Sequence, residues 1–109
     1  MASLHKVRAA NSTNATLVKA SPTKLHSIFL HAGAVETYLK LYDKATAPVP
    51  GTDVPIAVIP VHANGAVNLI QLGNVVFKLG LGYAITLNSA DNDATVVAAN
   101  AVIGHLLIG

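Results

Sequence analysis

The sequence has no cysteine, which excludes a disulfide framework, a thiolate metal site and a thiol nucleophile. A reducing cytosol is compatible with that absence but not required by it. Charge is the second scarcity. Charged residues make up 11% of the chain, where an ordinary soluble domain carries roughly a quarter. The basic residues are scattered as Lys6, Arg8, Lys19, Lys24, Lys40, Lys44 and Lys78. Nucleic-acid binders cluster Lys and Arg on one stripe, with Arg prominent, so direct nucleic-acid contact is not expected. Long apolar runs are missing too. The stretch 75–87 is broken by Lys78 and several Gly, and nothing spans a bilayer as a continuous apolar helix. The first six residues lack the apolar segment of a secretory signal. The expectation is a soluble protein, made without export and with no membrane partner.

What is present is small and apolar. Hydrophobic residues reach 52% of 109 residues, and Ala and Val supply much of the excess. That length suits one domain with one core. With so few charges the surface must itself be rather apolar, and an isolated monomer would be poorly protected against association. Coverage of part of the surface by neighbouring chains follows as the simplest expectation.

The expected fold is all-β: a single-domain antiparallel β-sandwich, jelly-roll-like, with about eight short strands. Residues 1–16, which include Asn11-Ser12-Thr13-Asn14, read as an extended N-terminal arm, and 17–109 as the sandwich domain. Strands are expected over 15–20, 24–31, 35–42, 54–61, 66–72, 75–79, 83–87 and 101–108. In the second, Leu25 and Phe29 share one face and His26, Ile28 and Leu30 the other. In the third, Leu39 and Leu41 alternate with Tyr38, Lys40 and Tyr42. Ala32-Gly33 is expected to join these two strands as a hairpin, and Asn64-Gly65 to do the same for 54–61 and 66–72. Gly73-Asn74 reads as a further turn. Pro55 and Pro60 cannot donate to a ladder and mark 54–61 as an edge strand. Gly104 inside the last strand signals a bulge or a close backbone contact. At most one helical turn fits, at 94–99.

The search for chemistry is mostly negative. His26 and His31 differ by an odd number, so on one regular strand they face opposite sides, and His5, His62 and His105 are far apart in sequence. No metal site is expected from them. Asp91-Asn92-Asp93 opens like a calcium loop, but Val96 and Val102 stand where that loop needs Gly and a bidentate Glu. A turn closed by Asx side chains is the expectation. Asp43 and Asp53 bracket one loop, and turn roles suit them better than an acid pair. Gly80-Leu81-Gly82 lacks the third Gly and following helix of a phosphate loop. No serine stands in a nucleophile elbow. The chain is expected to be no enzyme, with no catalytic residue and no cofactor.

Two surface features point to partner contact. Lys6 and Arg8, with Lys19 and Lys24, precede any acid, since the first is Glu36. Tyr38 and Tyr42 share a strand face with Lys40 between them. This is either a cross-strand packing face or a stacking platform for a glycan. Lys6, Arg8, Tyr38, Lys40 and Tyr42 are therefore the candidate partner contacts.

The block Tyr38-Leu39-Lys40-Leu41-Tyr42-Asp43-Lys44-Ala45-Thr46-Ala47-Pro48, followed by Gly51-Thr52-Asp53-Val54-Pro55, resembles small structural proteins of tailed bacteriophages and prophages. So does Gly80-Leu81-Gly82-Tyr83-Ala84-Ile85-Thr86 leading into Ala90-Asp91-Asn92-Asp93-Ala94-Thr95-Val96. The likeness covers about residues 15–105. It implies a virion component of the head cement, or decoration, type. Such a protein would coat the capsid surface after synthesis in the host cytoplasm, with the major capsid protein and copies of itself as partners. A tail or fibre module that binds host-surface glycan through Tyr38 and Tyr42 is the alternative. The resemblance transfers no functional residue.

Overall fold

Alternation of apolar and polar residues over short β-branched segments makes strands that bury one face, and two such sheets must cover each other. The computed structural model, which describes residues 2–69 and 75–109, is built this way throughout. Among the described residues there are nine strands and no helix. They are β1 (Ser3–Arg8), β2 (Thr16–Lys19), β3 (Thr23–Ala32), β4 (Thr37–Asp43), β5 (Ala57–Val61), β6 (Ala66–Leu69), β7 (Val75–Phe77), β8 (Leu81–Thr86) and β9 (Val102–Ile108). One sheet runs β1-β9-β3-β6, with β7 also paired to β3 beyond β6. The other runs β2-β8-β4-β5. Every pairing is antiparallel. The chain passes repeatedly from sheet to sheet, an order consistent with a jelly roll.

The core lies between the sheets. Val7, Leu25, Ile28, Leu30, Phe77, Val102, Leu106 and Ile108 meet Leu39, Leu41, Val61, Leu81, Tyr83 and Ile85 there. Full burial of side chains of this size stabilises by about 1.5–3 kcal/mol each. At Gly104 the two central strands come so close that a Cβ would meet the Phe29 backbone, which fulfils the expected close contact.

Four expectations need correction. Residues 3–8 are extended, but they lie on their own domain as edge strand β1, because Val7 is a core residue and its strand pairs along β9. Ala32-Gly33 does not close a hairpin: β3 pairs β9, β6 and β7, while β4 pairs β5 and β8. The chain crosses there from one sheet to the other. The Asn64-Gly65 turn exists, with Asn64 at φ 56° and the Gly65 N–H donating to the His62 carbonyl. It too is a crossing, since β5 joins β4 and β6 joins β3. Finally, a bulge between Leu25 and Ser27 shifts the phase of β3. Leu25 therefore points inward with Ile28 and Leu30, and Phe29 points out.

The edge expectation for the proline-bearing strand fits, since β5 ends its sheet and pairs on one side only. The expected turn at Gly73-Asn74 and the end of the 66–72 strand lie outside the described residues.

Candidate functional site: the open face of the five-stranded sheet

The two outer faces of the sandwich differ. On the four-stranded sheet, loops roof the outer side. All six residues of β8 are buried, and buried Pro48 lies so close over Gly82 that a Cβ there would come within 2.9 Å of its Cδ. Register places Tyr38, Lys40 and Tyr42 opposite Thr86, Ala84 and Gly82 on this covered side. Lys40 is fully buried and Tyr42 is 1% exposed. The Lys40 ammonium donates to the carbonyls of Ala90 (2.5 Å) and Asp93 (3.1 Å), tying the 88–95 loop down as a roof. Burial pushes the Lys40 pKa down, partly opposed by the carboxylates of Asp93 and Asp91.

The exposed Tyr–Lys–Tyr surface expected from the sequence is thereby corrected. Lys40 and Tyr42 cannot meet a partner or a sugar while this roof is closed. Tyr38 remains half-buried and donates to Glu36 Oε2 at 2.7 Å, and Glu36 Oε1 meets His62 Nδ1 at 2.8 Å. These two contacts hold the Glu36 carboxyl below its ordinary range, with His62 the larger influence.

On the five-stranded sheet, no loop among the described residues roofs the outer side of β1, β9, β3 and β6. Registers set three cross-strand rows. Leu4, Leu107 and Ser27 form the first, Lys6, His105, Phe29 and Asn68 the second, and Arg8, Ile103, His31 and Ala66 the third. Leu4 is 66% exposed, and Phe29 and Ile103 are 38% and 37% exposed. The Phe29 and His105 rings lie 5.6 Å apart, tilted at 43°, a separation at which aromatic pairs attract. Arg8 donates to Asn100 Oδ1 at 3.1 Å, which steadies its guanidinium at the rim. The solvent side of an antiparallel sheet is ordinarily polar. Here Phe29 and Ile103 are exposed on the inner strands, and Leu4 stands with Lys6 and Arg8 on the edge strand.

Lys6 and Arg8 are thus brought together on this face, apart from Tyr38, Lys40 and Tyr42. The residues that share their rows, Phe29, His31, Ile103 and His105, are not among the contacts expected from the sequence. A signal for them exists in the last strand, where Ile103, His105 and Leu107 alternate with the buried Val102, Leu106 and Ile108.

The remaining acids serve local structure. Asp43 accepts from the backbone N–H groups of Leu79 (2.8 Å), Lys78 (3.1 Å) and Gly80 (3.4 Å). These bonds, that from Leu79 foremost, hold its carboxyl below the usual range despite partial burial. Asp53 pairs with Lys44 and accepts from the Val49 N–H at 2.7 Å. Asp93 accepts from Asn88 and from Thr95, both backbone and hydroxyl, which closes the 88–95 loop as the expected Asx turn. Asp53 and Asp93 are thus absorbed by their own loops, and Asp43 by the 78–80 turn beside the end of β4. Among the described residues, no three His, Cys, Asp or Glu side chains gather as a metal site.

A cavity of about 240 Å³ opens at one end of the sandwich among Val35, Thr37, Leu87, Val96, Val97 and Ala101. It is apolar apart from Thr37, and its size falls below the roughly 300 Å³ at which ligand pockets begin. No group of convergent polar side chains lines it, so it offers no constellation for catalysis.

The fold and this site define a class: an all-β sandwich with one roofed and one open sheet. Comparison of the chain with protein-family models, curated proteins and solved structures finds no match.

Proposed function

We propose that this chain is a non-enzymatic virion structural protein, a cement or decoration protein that coats a phage capsid and bridges major capsid subunits. The observation that carries the reading is the open face of the β1-β9-β3-β6 sheet. It exposes Leu4, Phe29 and Ile103 in one field, while the protein roofs its other sheet with its own loops. A sheet face of this kind gains stability when a neighbour covers it. The low overall charge favours assembly in the same direction.

The resemblance of residues 38–55 and 80–96 to phrases of small phage structural proteins suggests the kind of neighbour. On this reading the protein sits on the capsid surface, against the major capsid protein and beside further copies of itself. It carries no cofactor and binds neither nucleic acid nor membrane. Many copies acting together need little affinity each.

Virions assembled with and without the chain test the proposal. Loss of resistance to heat and osmotic shock in its absence is the expected result. Unchanged resistance rejects the stapling role, and imaging that finds the chain only at the tail moves it off the head.

A further inference from the structure

The five side-chain carboxylates belong to Glu36, Asp43, Asp53, Asp91 and Asp93. None of these lies on β1, β3, β6, β7 or β9, the strands of the open sheet. Lys6 and Arg8 stand exposed on the edge strand β1, and Lys24 is exposed on the same outer side at the β7 end of β3. The face therefore carries permanent cations at its β1 edge and at that end, with exposed Phe29 and Ile103 between them. We propose that it docks onto an acidic surface of a different protein chain, one whose carboxylates border an apolar patch. The inference rests on the reading of this chain as an assembly component and adds the chemistry of its partner.

A second copy of the same chain is the poorer occupant. Four of its five carboxylates are already engaged: Glu36 with Tyr38 and His62, Asp43 with backbone N–H groups, Asp53 with Lys44, Asp93 with Asn88 and Thr95. Face-to-face pairing of two copies offers no side-chain carboxylate from either sheet to the cations of the other. Strand addition between two β1 edges brings Lys6 and Arg8 of both copies together, and lysine on an edge is a known guard against it. A nucleic acid is also the poorer fit. Three permanent cations, Lys6, Arg8 and Lys24, release few counterions, and exposed Leu4, Phe29 and Ile103 have no counterpart in a phosphate backbone.

The dimensions set the strength. Four strands spaced about 4.8 Å apart and five residues at about 3.4 Å each make a field of roughly 200–400 Å². A standard interface buries about 800 Å² per partner. One copy therefore binds weakly, and occupancy depends on repeated sites and on charge steering.

The isotope-labelled full chain, followed by NMR at low salt, tests this with three probes. These are a synthetic peptide alternating Glu with Leu, its counterpart alternating Lys with Leu, and a short DNA duplex. The Glu peptide is expected to shift signals of Lys6, Arg8, Phe29, Ile103 and His105, and added salt to weaken it. The Lys peptide leaves them unmoved. The double variant Lys6→Glu, Arg8→Glu loses about tenfold or more in affinity for the Glu peptide, and Phe29→Ser weakens it with the charges intact. Thermal unfolding of each variant confirms that it is folded.

Tighter binding of DNA, equal binding of both peptides, or shifts elsewhere on the domain overturns the proposal. So does sedimentation that shows self-association abolished by the double variant. Virions separate this inference from the cement reading. Full retention of the folded double variant on the capsid rejects the docking surface and leaves the cement role standing. Absence of the wild-type chain from virions, with the Glu peptide still bound at this face, rejects the cement role and leaves the docking surface standing.

Discussion

Gly104 crosses Phe29 so closely that a Cβ at position 104 would overlap the Phe29 carbonyl oxygen. Both are backbone-limited positions in the centre of the open sheet, on β9 and β3, so neither strand can yield without breaking its ladder. Gly33 lies in the crossing between the sheets, and a Cβ added there would have nothing within 4 Å. Gly104→Ala should therefore cost about 3 kcal/mol or more, and Gly33→Ala should stay within about 0.5 kcal/mol of the parent. Chemical denaturation of the two variants checks the contrast, and equal midpoints would refute it.

Tyr42 Oη is buried under the roof and has no hydrogen-bond partner among the described residues. A buried hydroxyl without a partner is a net cost, and removing it while keeping the ring lifts that cost. Tyr42→Phe should be neutral to about 1 kcal/mol more stable. A clear loss of stability in urea would mean that the hydroxyl is satisfied.

Asp43 joins the end of β4 to the turn before β8, and its carboxyl sits below the ordinary range because backbone N–H groups bond its ionised form. A carboxylate with a depressed folded pKa stabilises the fold above its unfolded pKa. That contribution is lost as pH falls through the folded value. Stability should accordingly decline below about pH 4, and Asp43→Ala should flatten that part of the profile. The same variant should lose about 1–2 kcal/mol at neutral pH. Thermal midpoints between acid and neutral pH measure both effects.

Lys40 gives a pH dependence of the same sign for a different reason. Burial lowers its pKa, so the unfolded chain holds the proton more tightly than the folded one. Between the lowered folded value and the ordinary lysine range, stability contributed by this group rises with pH. Lys40→Met, which keeps the aliphatic stem and removes the titration, should lose that pH response. Wild type should therefore gain on the variant as pH climbs above neutrality. Hydrogen exchange adds a second reading, since amides of 88–95 should exchange faster once the ammonium no longer holds the Ala90 and Asp93 carbonyls.

Strand positions are legible in the sequence because alternation reports directly on which side chains point inward. Partners are not. Leu39 and Leu41 face the core as their spacing requires, but spacing says nothing about which sheet β4 belongs to. Turn chemistry at Asn64-Gly65 reports the local geometry correctly and the hairpin wrongly, since a tight turn also serves a crossing between packed sheets.

Phe29 falls on the opposite face from the one its spacing predicts because a bulge at Leu25–Ser27 shifts the strand's phase, and no residue there signals it. Tyr38, Lys40 and Tyr42 do share one face, but a loop fifty residues away covers that face. Lys6 and Arg8 are singled out in the sequence by an acid-free stretch of chain, and the structure places both exposed on β1.

β1 pairs along its length with β9, so the first strand is held by the last. On a ribosome, a nascent chain emerging with residues 3–8 exposed would find no mate for them until residues 102–108 had followed. Contacts of such long sequence separation form slowly. Until they do, the sticky centre of the sheet, with Leu25, Leu30 and Leu106 unsheltered, is open to aggregation or to capture by a chaperone.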